Sequence, residues 1–123
     1  MRAAASLSYS TGPSGLYLEK LFARWGIADE IASRIVVPPP GTPVGSLVAS
    51  GAAELGFQQL SELKNLPGVQ VIGPLPPPIQ TITVFSGGIP VGSRAPDEAR
   101  ALLAYLASPA VAAAKQRHGM ESA

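Results

Sequence analysis

The sequence predicts an α/β fold, a mostly parallel five-stranded sheet flanked by helices. Two observations carry this. Short β-branched or apolar runs alternate with amphipathic helical stretches as far as Ile72, which is the rhythm of βαβ units. Hydrophobic residues make up 46% of the 123 residues, enough to bury a core and too many for a disordered chain.

The first strand is predicted at Leu7 to Tyr9. A helix follows, because Leu18, Leu21, Phe22 and Trp25 fall at i, i+3, i+4 and i+7. Thr11 or Ser14 is expected to cap its start, and Gly26 to stop it with a left-handed residue. Asp29 to Ser33 reads as one more turn. Ile35-Val36-Val37 is a second short strand running into the stiff Pro38-Pro39-Pro40. Thr42 and Pro43 open the next helix as cap and first residue, with Val44, Leu47 and Val48 on its buried face.

Leu55 to Gln58 reads as the third strand, followed by a short helix capped by Ser61. Pro67-Gly68 turns the chain into a fourth strand, Val69 to Ile72, and Thr81 to Phe85 is the fifth. That last strand breaks the rhythm, since the Pro74-to-Pro78 segment before it is too stiff for a tight hairpin. Pro96-Asp97-Glu98 begins a helix with acids in its first turn, and Ala99, Leu102, Leu103 and Leu106 give it an apolar face. Ser108-Pro109 starts a final helix running to about Arg117.

Bulk composition removes several function classes. Nine Lys and Arg are scattered through a chain of net charge +1, so no basic stripe is available for nucleic acid. Cysteine is absent and His118 is the one histidine, which excludes thiolate chemistry and the usual zinc and iron ligand sets. No cofactor or metal is expected. Apolar runs such as Leu102 to Leu106 are far too short to span a bilayer, and the first residues lack the apolar core of a signal peptide. Charged residues are only 14% of the chain, against about a quarter in typical domains. Either part of the surface is covered by a partner, or the chain is simply rich in Ala, Gly and Pro.

The turn between the first strand and first helix holds the leading candidate site. In open α/β sheets, ligands gather at the carboxyl ends of strands beside helix starts. Gly12 and Gly15 let backbone N–H groups approach an oxyanion, and Ser10, Thr11 and Ser14 add hydroxyl donors. Neither Gly-x-x-x-x-Gly-Lys nor Gly-x-Gly-x-x-Gly occurs, so this is not a nucleotide loop. Gln58 and Gln59, ending the third strand, face the same rim with neutral amides. Each feature is also what a well-capped βα turn requires. Glu54 and Glu62 flank the amides and read as solvated ends. His118 lies on a polar stretch far from the turn.

These residues form a recognisable pattern. Leu7-Ser8-Tyr9-Ser10, Pro13-Ser14-Gly15-Leu16-Tyr17 and Leu21-Phe22-Ala23-Arg24-Trp25-Gly26-Ile27 resemble the extracellular solute-binding proteins of the molybdate-binding type. The run from Val44 through Gly56-Phe57-Gln58-Gln59-Leu60-Ser61-Glu62 does too, as do Pro67-Gly68-Val69, Gly73-Pro74-Leu75-Pro76, Thr83-Val84-Phe85, Ser108-Pro109-Ala110 and His118-Gly119-Met120-Glu121.

The resemblance implies a type II periplasmic binding fold, two α/β lobes closing on a ligand. Residues 6–78 would form the second lobe. Residues 79–123 would be a crossing strand and C-terminal helices belonging to the first lobe, most of which this chain would lack. The implied ligand is a small anion, an oxyanion or organic acid, held by Ser10, Thr11, Gly12, Ser14, Gly15, Gln58 and Gln59. Backbone N–H groups at Ser14 and near Gln58 would be the family's contacts. Ile82 stands nearest to the place of its ligand-binding tyrosine.

The implied partner is an ABC-transporter permease, the implied location the periplasm, and the chain is expected not to be an enzyme. As given, without a signal peptide, it would stay in the cytoplasm. Exposed apolar residues of the C-terminal helices predict self-association, as a homodimer or otherwise. Two alternatives stand beside this. Similar proteins act on small organic acids, an aconitate isomerase among them, for which Glu62 is the base this chain offers. The other is a binding-incompetent structural remnant.

Overall fold

The computed structural model describes residues 3–121. It divides into two compact units, Met1–Pro74 and Leu75–Ala123.

The first unit is built on a small parallel sheet. Strand β1 (Leu7–Tyr9) pairs with β2 (Leu55–Phe57) in the register Leu7↔Leu55, Ser8↔Gly56 and Tyr9↔Phe57. Leu7 also forms a single parallel bridge to Ile35, which makes β1 the central segment. The Val36 N–H donates to the Leu7 carbonyl at 2.7 Å, and the fully buried Ser8 donates its hydroxyl to the Val36 carbonyl at 2.8 Å. That second bond lets a polar side chain sit in the core without loss.

The expected five-stranded sheet is therefore corrected to two strands and a bridge. Ile35-Val36-Val37 makes only the bridge before its proline run. Val69 to Ile72 and Thr81 to Phe85 are not strands. Ile72 is 86% exposed, and Ile82, Val84 and Phe85 are 79%, 73% and 68% exposed. Strand propensity expresses fit to a half-buried pleated surface, and these runs have no such surface beside them.

Helix α1 (Pro13–Arg24) follows β1 and packs on it. Pro13 takes the first position, where its missing N–H costs nothing. Gly26 closes the other end at φ +66°, with the Gly26 N–H on the Ala23 carbonyl and the Ile27 N–H on the Phe22 carbonyl, both at 3.0 Å. This pair of bonds needs a left-handed residue, which only glycine adopts without strain. Leu18, Leu21 and Phe22 are buried as the spacing predicts, but Trp25 is 41% exposed. It sits at the helix end and leans on Phe22 at a ring distance of 6.4 Å. Phe22 also meets Tyr9 at 5.9 Å and Phe57 at 6.4 Å, so one ring ties α1 to both strands.

Helix α2 (Ala28–Ile31) and a 3₁₀ turn (Ala32–Arg34) lead to Ile35. Helix α3 (Val44–Ala49) and helix α4 (Leu60–Leu63) complete the unit. A Cβ on Gly56 would stand 2.6 Å from Val48 and 2.9 Å from Val44, so α3 lies flush against β2. Phe57 faces α1 and Gly56 faces α3, which gives a three-layer arrangement with the sheet between two helices. The core comprises Leu7, Leu18, Leu21, Phe22, Ile27, Ile31, Val44, Ala4 and Ala53.

The second unit holds a 3₁₀ turn (Pro77–Ile79), helix α5 (Pro96–Ala107), a 3₁₀ turn (Pro109–Val111) and helix α6 (Ala112–Arg117). None of its described residues is buried. Leu102 and Leu106 of the expected apolar face are 57% and 46% exposed. Ser108 directs its hydroxyl back to the Tyr105 carbonyl at 2.7 Å instead of forward as a cap.

Candidate functional site

The parallel register brings the two predicted clusters to one edge. Tyr9 and Phe57 are paired, so the next residues, Ser10 and Gln58, leave adjacent strands side by side at the carboxyl end of the sheet. Helix α1 begins at the Gly12 cap and α4 at the Gln59 cap, both directly after these strand ends. Two strand ends and two helix starts of the first unit thus meet where α/β sheets hold ligands.

Gly15 sets the shape of the first turn. Its N–H donates to the Gly12 carbonyl at 3.0 Å, and the Leu16 N–H donates to the same oxygen at 3.1 Å. A Cβ at Gly15 would collide with the Ser10 carbonyl, a backbone atom that cannot yield. The glycine is therefore required by close approach of strand end and helix start. With Pro13 lacking an N–H and Gly15 bonded inward, Ser14 carries the helix-start amide that α1 itself leaves without an acceptor.

Thr11 and Ser14 do not cap α1, contrary to expectation; Gly12 is the cap residue and no side chain bonds to the first amides. The Ser10 and Ser14 hydroxyls instead lie 2.9 Å apart and bond to each other. Such a pair can rotate to present a donor from each residue to an incoming acceptor. Thr11 is exposed beside it.

Gln58 has a structural role that the sequence did not reveal. Its Oε1 accepts the Gly45 N–H at 3.0 Å, across a gap of 13 residues. Gly45 is the second residue of α3, so this amide satisfies an orphan donor that Thr42 was expected to cap. Pro43, not Thr42, is the cap residue of α3. Gln59 caps α4, displacing Ser61, and its carbonyl accepts the Glu62 N–H at 2.9 Å. Glu62 is exposed in the first turn of α4.

Other candidates lie elsewhere. Glu54 is structural: its Oε2 accepts the Ala5 N–H at 2.5 Å, and its own N–H donates to Ser6 Oγ at 2.9 Å. His118 ends α6 in the second unit. Tyr9, beneath the turn, has its phenol pushed above the usual range by burial and then by the Glu19 carboxylate. Among the described residues no group of acids and histidines could hold a metal ion. No helix among them is long and apolar enough to cross a membrane.

A strand-edge site on an α/β unit is the geometry of a small-ligand binding protein, and the chain belongs to such a family. The model for bacterial extracellular solute-binding proteins matches residues 2–121. The chain is also similar to an aconitate isomerase from Pseudomonas sp, 43% identical over 119 residues, which covers 96% of this chain and 45% of that protein. It thus spans under half the length of this curated relative. No solved structure matches it. Similarity to an enzyme at this level overturns the expectation that the chain has no enzymatic character.

Proposed function

We propose that this chain supplies a carboxylate-binding part of an isomerase for a small unsaturated organic acid of the aconitate type. The observation that carries it is the 43% identity to an aconitate isomerase, spread over 96% of the chain. The site suits such a substrate. Ser10 and Ser14 offer paired hydroxyls, Ser14 and Gly12 offer backbone amides at the start of a 12-residue helix, and Thr11, Gly15, Gln58 and Gln59 line the same edge.

Aconitate carries three carboxylates around one double bond. Removing a proton from its methylene and returning one to the far end of the allylic system shifts the double bond and allows its geometry to change. Donors on the carboxylates stabilise the charge that spreads onto them in between. Glu62, one turn into α4 from Gln59, is the group we assign to the proton transfer.

The family description favours a second reading. A small anion would be bound outside the cytoplasm, as by the molybdate-type receptors, and handed to an ABC-transporter permease. Under either reading residues 6–78 form the ligand-binding lobe. Residues 79–123 would pack on the first lobe of such a protein or on a second copy of this chain.

Incubating the chain with cis- or trans-aconitate and following both isomers by proton NMR separates the readings. Interconversion that is abolished by Glu62→Gln supports the isomerase. Saturable binding of aconitate or molybdate without interconversion supports the receptor and rejects the isomerase.

A further inference from the structure

From Asn65 to Ser93 no residue of this chain carries a charge. Within that stretch Thr81 to Phe85 is β-branched or aromatic at every position, yet it belongs to no strand, and each of its residues is exposed. Among the described residues, no backbone hydrogen bond involves this run. Its N–H and C=O groups are therefore open to pairing with another chain. Proteins usually blunt such a segment with a lysine, a proline or a bulge. None interrupts Thr81 to Phe85; Pro78 and Gly87 only bound the stretch that contains it.

The run is complementary to itself. Laid antiparallel on a second copy with the two-fold axis at Thr83, Ile82 falls opposite Val84, Thr81 opposite Phe85 and Gln80 opposite Ser86. β-Branched residues then meet β-branched or aromatic ones, and the polar residues meet at the ends, which are favourable cross-strand pairs. Moving the axis to Ile82 sets Gln80 against Val84, and moving it to Val84 sets Ile82 against Ser86. A two-stranded ribbon also needs apolar cover to be stable in water. Here a Cβ on Gly87 would collide with Leu103 Cδ2, so the run leads directly onto α5, whose Leu102, Tyr105 and Leu106 are exposed.

We infer that Thr81 to Phe85 is a homotypic pairing strand, which joins two copies of this chain in an antiparallel ribbon centred on Thr83. The apolar residues of both α5 helices cover that ribbon. The contact is isologous, with the same patch used on both copies. It involves no residue of the strand-edge site, so it stands or falls apart from the ligand.

The chain has no cysteine, so Thr83→Cys places one thiol per copy at the axis. Opposed Cα atoms in an antiparallel pair lie about 4.5 to 5.5 Å apart, within disulfide range. Two Gln80→Cys residues would be roughly 20 Å apart along the ribbon. Under mild oxidation, Thr83→Cys should form covalent dimer on a non-reducing gel roughly tenfold faster than Gln80→Cys or better. Ile82→Lys with Val84→Lys sets like charges opposite each other and should elute as a monomer in gel filtration. Both residues are exposed, so its melting temperature should match wild type. Equal cross-linking at the two cysteines, or a dimer that survives the two lysines, overturns the inference. Loss of the dimer in Leu102→Glu with Leu106→Glu, together with equal cross-linking at the two cysteines, would assign the association to α5 alone.

Discussion

The backbone of Gly15 rests directly against the carbonyl of Ser10, with no space for a methyl group between them. This contact determines how closely α1 follows β1, and so where the Ser10 and Ser14 hydroxyls meet. Gly15→Ala should destabilise the first unit by about 3 kcal/mol, the upper end of overpacking costs, because the obstacle is backbone. Gly12→Ala is the control. Its φ is −81°, and its Cβ would lie 3.8 Å from Ser10 Oγ, an ordinary contact. Urea unfolding should show less than about 0.5 kcal/mol of change for that variant.

Ser10→Ala and Ser14→Ala should affect ligand more than fold. The hydroxyls bond to each other at 2.9 Å and carry no helix cap, so each loss should cost about 1 kcal/mol of stability or less. Hydrogen bonds to a charged group are stronger, and affinity for aconitate should fall about tenfold for each. Calorimetric titration of both single variants and the double variant checks this. Because the two act as one unit, the double loss should be smaller than the sum.

Tyr9 gives the first unit an alkaline limit. Burial, then Glu19, raises the phenol above its ordinary value of 10.0. The folded state therefore holds this proton more tightly than the unfolded chain does. Its contribution is fully present below about pH 10, the unfolded value, and is lost as pH rises from there through the higher folded value. Urea midpoints measured between pH 8 and 11 should fall above 10 in wild type. Tyr9→Phe should fall less over the same interval.

The second unit buries none of its described residues, while Leu102, Tyr105 and Leu106 are exposed on α5. An apolar face of this kind seeks cover. In gel filtration the chain alone should elute above its mass of 12.6 kDa, with a concentration-dependent position. Leu102→Glu with Leu106→Glu should return it to the monomer. A wild-type monomer at every concentration would rule out self-association.

Local signals read well from the sequence and pairing partners read badly. Leu7 to Tyr9 was visible as a strand, α1 from its i, i+3, i+4, i+7 spacing, and its end from Gly26. Val69 to Ile72 and Thr81 to Phe85 have strand composition but no neighbouring ladder, and composition does not report a neighbour. Caps failed for a related reason. Thr42 and Ser61 were plausible local caps, yet the donor of α3 is satisfied by Gln58 from 13 residues away. The candidate edge was legible because strand ends and helix starts are local. That Gln58 turns its oxygen to Gly45 was not, since it depends on how β2 and α3 pack.

Calorimetric titration of the intact chain with trans-aconitate asks whether the edge formed by Ser10, Ser14 and Gln58 holds a carboxylate, as we propose. Saturable one-to-one binding, weakened about tenfold by Ser14→Ala, is the predicted result. Absence of heat at millimolar ligand, or equal affinity in wild type and Ser14→Ala, would contradict it.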